Sequence, residues 1–361
     1  MKIASYTTQV VRIPRQHAPF AKGGDEIEFV TLQMRTDDGI EGIGYAGFAP
    51  LVMTPALHAA VDGLCRLVVG MDPMNTEEIG AHLFRAAGSG SPAGLVTRAI
   101  SAIDVALWDI KGKALGQPVY KLLGGYRDRV PTYASGYLWR SFDLDMLASH
   151  GERLVNEGFK AMKFRLGAEK TIAAEVNRLR TMRDAVGPDV ELMIDINQLW
   201  DVNRAITVGR EMREYGITWL EDPTTFDDFK GLAKIADALD TPIAGGEYVY
   251  GIAPFVQLIE QRSIDIVMVD LLRVGGITQW MKVAHMAEAH NLPVVTHLAP
   301  EVLVHALAAV PNGLTVEYMP WSFPLFKSIP LAVDGHIELP QEPGLGLEFD
   351  EELLARSERA S

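Results

Sequence analysis

The chain has a single cysteine, Cys65, among its 361 residues. No intrachain disulfide can form, which excludes the small disulfide-stapled scaffolds and makes a reducing compartment the simplest setting. No stretch approaches about 18 uninterrupted apolar residues, so no transmembrane helix is expected. The N-terminal MKIASYTTQVVRIPRQ alternates apolar and polar residues and lacks the apolar core of roughly 7–15 residues that a signal peptide needs. A cytoplasmic location is the expectation. Positive charge is scarce: 33 Lys and Arg stand against 47 Asp and Glu, a net charge of −14. With no basic tract, neither nucleic acid nor an anionic membrane surface is an expected partner. Low-complexity segments and long linkers are also missing. The 48% hydrophobic and 22% charged residues that are present suit a folded chain. The length fits either two modest domains or one barrel of about 250 residues with an added module.

The first third reads as an α+β module. Residues 2–13 and 27–35 alternate with the period of strands, and residues 41–47 continue the pattern after the Asp38-Gly39 turn. Residues 75–87 and 94–117 read as helices, the second stopped by Gly116-Gln117-Pro118. From about residue 130, short apolar runs alternate with amphipathic stretches. Eight runs qualify as strands: 130–137, 160–166, 190–195, 217–222, 242–247, 264–270, 292–297 and 314–319. A repeated βα unit implies parallel strands, and eight of them imply a closed barrel. The last 35 or so residues are rich in Pro and Gly and are expected to return to the first module.

Ionisable residues mark the ends of these runs. Asp195, Glu221, Glu247, Asp270, His297 and Glu317 follow one another at intervals of 26, 26, 23, 27 and 20 residues, each close to one βα unit. In a parallel barrel all strand C-termini open on one face, so these side chains converge on one mouth, where barrel active sites sit. Polar capping of helices explains an Asp after a strand, but Glu is a poor N-cap, and two Glu at matched positions call for another reason.

Asp195, Glu221 and Glu247 on adjacent strands make a hard, oxygen-only set without cysteine. Such donors suit one Mg²⁺ per subunit, with Mn²⁺ as a substitute. Without a cation the three carboxylates would repel one another or take up protons. Lys163 and Arg165, two apart on the second strand, point to one face beside Asp195. They act either as ion-pair partners of the carboxylates or as groups that meet substrate. Asp270 and His297 lie on neighbouring strands and are placed to form a dyad, in which the carboxylate fixes the imidazole tautomer and raises its basicity.

With these residues the chain resembles the mandelate racemase subgroup of the enolase superfamily over almost its whole length. AIDVALWDIKGKALGQPVYKLLGG resembles the end of that family's capping domain. The resemblance implies an α/β fold: a (β/α)7β TIM-like barrel under an α+β cap formed by both chain ends. The corresponding boundaries are 1–125 for the cap, 126–325 for the barrel and 326–361 for a returning segment. It implies that Asp195, Glu221 and Glu247 hold Mg²⁺, that Asp270 and His297 are the dyad, and that Glu317 is the acid bonded to the substrate carboxylate during enolisation. The family usually carries Lys-x-Lys on the second strand, whereas this chain has Lys163-Phe164-Arg165. Neutralising an Arg near pH 7 costs roughly 7–9 kcal/mol, against roughly 4–5 for Lys. Arg165 is therefore expected to bind a carboxylate or hydroxyl as a fixed donor, leaving one base, His297.

One base suits a lyase better than a racemase. The expected reaction is dehydration of a sugar acid, a 2,3-dihydroxy carboxylate, to a 2-keto-3-deoxy acid through an enediolate. A racemase or epimerase of a 2-hydroxy acid is the alternative, and a catalytically silent binding protein is a remote one. Lys163 and Glu317, the latter protonated or sharing a proton with the substrate, are expected to stabilise the enediolate. Tyr137, at the end of the first strand, is a candidate acid or substrate contact, and Trp139 a candidate pocket wall. Asn197 is expected to touch substrate or to support the metal ligands. His17 and Phe20, on the 14–26 loop, and Met53, on the 47–55 loop, are candidates to contact the distal end of a small-molecule carboxylate. A homo-oligomer is the expected assembly.

Overall fold

The computed structural model describes residues 1–14 and 26–360. Strands β1 (Ile3–Pro14), β2 (Glu26–Thr36) and β3 (Glu41–Ala46) form an antiparallel meander in the order β1-β2-β3, as their alternation requires. Helices α1 (Thr54–Val68), α2 (Thr76–Ala87) and α3 (Gly94–Leu115) follow. The α3 helix ends where Gly116 takes φ +63°, a left-handed cap that needs no Cβ. Gly42 and Gly44 let β3 lie directly on α3, for a Cβ on Gly44 would stand 2.0 Å from the Ala102 carbonyl oxygen.

The α1 helix is not read from the sequence, where residues 54 and 55 belong to the 47–55 loop. Its stripe of Leu57, Val61, Leu64, Cys65 and Val68 has helical spacing and packs into the meander's core. Together with the preceding turn, Leu51–Val68 is 18 residues long and apolar enough to cross a membrane by length and composition.

The eight expected barrel strands are all present: β4 (Arg129–Ala134), β5 (Ala161–Arg165), β6 (Glu191–Asp195), β7 (Trp219–Glu221), β8 (Ile243–Gly245), β9 (Ile266–Asp270), β10 (Val294–His297) and β11 (Val316–Tyr318). Consecutive strands from β4 to β10 pair in parallel, and β11 pairs with β4. The gap between β10 and β11 is bridged by Leu314 N–H to the Val294 carbonyl at 2.9 Å and by Glu317 N–H to Thr296 Oγ1 at 2.9 Å. The sheet thus curls into a closed TIM-like barrel.

The C-terminal segment has two parts. Strands β12 (Ala332–Val333) and β13 (His336–Glu338) form a small hairpin, unforeseen from the sequence, that pairs antiparallel to β4. Beyond it the chain makes contact with the first module. Leu345 N–H donates to Asp109 Oδ1 at 2.9 Å, and His305 bridges Tyr120 N–H and the Leu345 carbonyl.

Candidate active site

Strand alternation builds the site. Tyr133, Ala161, Met193, Trp219, Ala244, Ile266, Met268 and Val295 fill the barrel interior as one apolar cluster. Two residues further along their strands, on the same inner face, stand Lys163, Asp195, Glu221, Asp270 and His297. The polar mouth is the top layer of the barrel core, and these five side chains are buried, as are Arg165, Glu247 and Glu317.

Lys163 Nζ lies 2.5 Å from Glu221 Oε1 and 2.8 Å from Glu317 Oε1. Burial opposes its charge, but Glu221 and Glu317 outweigh burial and hold its pKa well above the ordinary lysine value. Glu317 also accepts from Ser135 Oγ at 2.8 Å and from Leu298 N–H at 2.7 Å. Burial would raise its pKa, yet Lys163, His297 and the Leu298 N–H push it down to about 2. These contacts favour the carboxylate form of Glu317 before substrate binds.

The carboxylates crowd together. The tightest group is Glu221, Asp222 and Glu247, whose oxygens lie within 4.8 Å of one another. Asp195 stands beside it, paired in register with Glu221. Its Oδ1 accepts from Asn197 N–H at 2.8 Å and its Oδ2 from Asn197 Nδ2 at 2.7 Å. Trp219 Nε1 fixes the other oxygen of Glu221 at 2.9 Å. Burial, with the neighbouring carboxylates, raises Glu221 and Asp222 well above the usual range. Glu247 Oε2 and Asp222 Oδ2 are buried without a hydrogen-bond partner, although Glu247 Oε2 lies 3.2 Å from His297 Nε2 outside hydrogen-bonding geometry. Clustered anionic oxygens with open acceptor sites fit a hard divalent cation such as Mg²⁺.

Arg165 is sandwiched. Its Nε lies 3.5 Å from Asp195 Oδ2, and its guanidinium sits 4.3 Å from the centre of the Trp139 ring. Trp139 in turn stacks on Trp321 with centroids 6.1 Å apart. Arg165 Nη1 is buried with no partner, an open donor at the mouth.

The dyad lies on the other side. His297 Nδ1 meets Asp270 Oδ2 at 2.7 Å. Burial would raise the Asp270 carboxyl, but Arg273 and His297 outweigh it and keep it well below the usual range. Burial works against protonation of His297, while Glu247, Glu317 and Asp270 together lift its pKa above the ordinary histidine value. Arg273 braces the dyad, donating its N–H to Asp270 Oδ1 at 2.7 Å and its Nη1 to the Glu247 carbonyl at 2.8 Å.

The structure brings together Lys163, Arg165, Asp195, Asn197, Glu221, Glu247, Asp270, His297 and Glu317. Tyr137 does not join them. Gly136, at φ +85°, turns the chain so that Tyr137 packs against Phe159 with ring centroids 6.5 Å apart, and Trp139 takes the place at the mouth. His17 and Phe20 lie outside the described residues. Sequence reasoning missed Asp222, and it missed Arg140, which donates to Asn197 Oδ1 at 2.7 Å. It also missed how the meander module meets the barrel beside the dyad. Ser101 of α3 donates to the Leu271 carbonyl at 2.9 Å, and Tyr45 of β3 hydrogen-bonds Glu301, which also accepts from Ser322.

Comparison with known proteins agrees with this architecture. Residues 5–124 match the mandelate racemase/muconate lactonizing enzyme N-terminal domain, and residues 146–353 match the enolase C-terminal domain-like family. The L-talarate/galactarate dehydratase of Salmonella typhimurium is 33% identical over 91% of this chain and 82% of its own length. The structure of L-talarate dehydratase from Polaromonas sp. JS666, in complex with Mg and L-glucarate, superposes with a TM-score of 0.92 at 32% identity, covering 98% of this chain and 96% of that one. A racemase from Streptomyces coelicolor A3(2) with bound magnesium gives a TM-score of 0.91 at 30% identity, covering 98% and 99%.

Proposed function

Since the chain belongs to the mandelate racemase/muconate lactonizing enzyme family of the enolase superfamily, we propose that it is a Mg²⁺-dependent acid-sugar dehydratase with His297 as its one general base. Residues 126–325 carry the chemistry in this reading, and residues 1–125 with 326–361 cover the mouth. A cytoplasmic setting suits a chain with one cysteine.

Asp195, Glu221 and Glu247 are the residues to hold the ion. Bound there, Mg²⁺ supplies Lewis-acid stabilisation of the negative charge that develops on the substrate carboxylate. Lys163 stands between Glu221 and Glu317 at the same mouth, as the donor that offsets the growing charge on that carboxylate. His297 Nε2 takes the C2 proton while Asp270 holds the ring through Nδ1. The C2–H electron pair then expels the C3 hydroxyl, which leaves as water once it gains a proton. In a syn elimination that proton is the one His297 has just taken. The enol gains a proton at C3 to give the 2-keto-3-deoxy acid, so the net change is loss of one water.

The observation that carries this reading is Arg165, held between Asp195 and Trp139 where an opposite-face base would stand. Its guanidinium serves as a fixed donor to a substrate carboxylate or hydroxyl. The likeness to the S. coelicolor racemase favours epimerisation as a second reading, but that reading needs a base on the Arg165 side. The test is a panel of mono- and diacid sugars assayed for 2-keto-acid formation with Mg²⁺ and after EDTA. Product with Mg²⁺, loss on chelation and recovery on re-addition are expected. Full turnover in metal-free enzyme would overturn the proposal.

A further inference from the structure

The residue after Glu221 has no business at the mouth by strand alternation, because successive side chains point to opposite sides. Asp222 reaches it nonetheless. Its backbone sits at φ +41°, a left-handed conformation uncommon for residues with a Cβ. That backbone is pinned on both sides, Asp222 N–H donating to the Ala244 carbonyl at 3.0 Å and its own carbonyl accepting from Gln198 N–H at 2.8 Å. The turn swings the side chain back towards Glu221 and Glu247, so that the three carboxylates have oxygens within 4.8 Å of one another. Gly245 makes room for it, since a Cβ there would lie 3.2 Å from Asp222 Oδ1. The side chain is 1% exposed, and Oδ2 has no hydrogen-bond partner.

A buried carboxylate held in a strained turn close to two others, with one oxygen left without a hydrogen-bond partner, is costly without a cation. Among the described residues no lysine or arginine forms an ion pair with it: Lys163 pairs with Glu221 and Glu317, and Arg165 is turned to Asp195 and Trp139. We propose that Asp222 is a fourth carboxylate of the divalent-cation site and sets its affinity, so that Mg²⁺ or Mn²⁺ binds tightly before any substrate arrives. The proposal rests on the metal-site reading above and deepens it. It concerns affinity for the ion rather than the proton transfers, which belong to His297 and Asp270.

The test uses the full-length protein stripped of metal, with Mn²⁺ binding followed by electron paramagnetic resonance and Mg²⁺ binding by calorimetry, in the absence of substrate. Asp222→Asn keeps a side chain that tolerates a left-handed backbone, and Asp222→Gly removes the strain altogether. Both variants are expected to bind Mn²⁺ and Mg²⁺ about tenfold or more weakly. Both should show an unchanged or higher Tm when metal-free, because a repelled, strained carboxylate has been removed. A purely structural Asp222 would give the reverse pattern, with wild-type ion affinity and a lower Tm. Wild-type affinity in either variant overturns the proposal. Glu247→Gln separates the two levels of inference: if it too binds the ions like wild type, the metal-site reading has failed, whereas weakened binding there with normal binding in both Asp222 variants refutes the role of Asp222 alone.

Discussion

His297 and Asp270 are register partners on adjacent parallel strands, and their side chains meet through Nδ1 and Oδ2 at 2.7 Å. The pairing follows from strand register and side-chain alternation, with no special loop needed to hold it. It presents Nε2 to the mouth and commits Nδ1 to orientation.

Replacing His297 with Asn should lower turnover by about 10²–10⁴-fold, the range for loss of a general base. Mn²⁺ affinity should stay close to wild type, because the change deletes no proposed ligand. Asp270→Asn should act in the same direction by disturbing tautomer and ring orientation. Single-turnover kinetics with metal titrations would check both, and wild-type turnover in His297→Asn would move the base elsewhere.

Arg165→Lys replaces a permanent cation with a group that burial can neutralise. The variant should form the C2 epimer of its substrate, which the wild type does not, and Arg165→Met should not. Both variants should dehydrate more slowly, having lost a fixed donor. Chiral chromatography of recovered substrate makes the comparison. Epimer in the Met variant, or in the wild type, would contradict the role given to Arg165.

His305 predicts part of the acid response of the fold. It is fully buried, and burial pushes its pKa down to about 4 from 6.5. The unfolded chain therefore takes up a proton that the folded chain refuses as pH falls from 6.5 to 4. His305's contribution is complete above pH 6.5 and lost across that window, by about 3 kcal/mol at 1.36 per pH unit. Asp104, pushed up to about 6 by burial, works in the opposite direction. The stability difference between wild type and His305→Gln isolates the histidine. Urea titrations should show that difference moving against the wild type as pH falls from 7 to 4, and a flat difference would refute the assignment.

Much of this was legible because one physical rule, the period of two, governs both the barrel and its mouth. The eight strands and the convergence of Asp195, Glu221, Asp270 and His297 follow from it. The features that escaped depend on local departures from that rule. Asp222 was invisible because alternation assigns it to the outside, and only its positive φ reverses that. Tyr137 was misplaced because Gly136 turns the chain between the strand end and Trp139. The α1 helix escaped because its start overlaps the 47–55 segment placed as a loop by position, although Pro55 sits comfortably in a first helical turn. The β12–β13 hairpin is too short for periodicity to register. The clasp of Arg165 between Asp195 and Trp139 joins residues whose contact no spacing in the chain announces.

The central claim is that proton exchange at C2 occurs on the His297 face alone. Turnover of the true substrate in D₂O, stopped part-way, measures it directly. Recovered substrate should carry deuterium at C2 only with retained configuration, no C2 epimer should accumulate, and 2-keto-3-deoxy acid should form. Deuterium delivered with inversion, with the epimer growing at a rate comparable to turnover and no 2-keto acid, would show a second base on the Arg165 side and contradict the account.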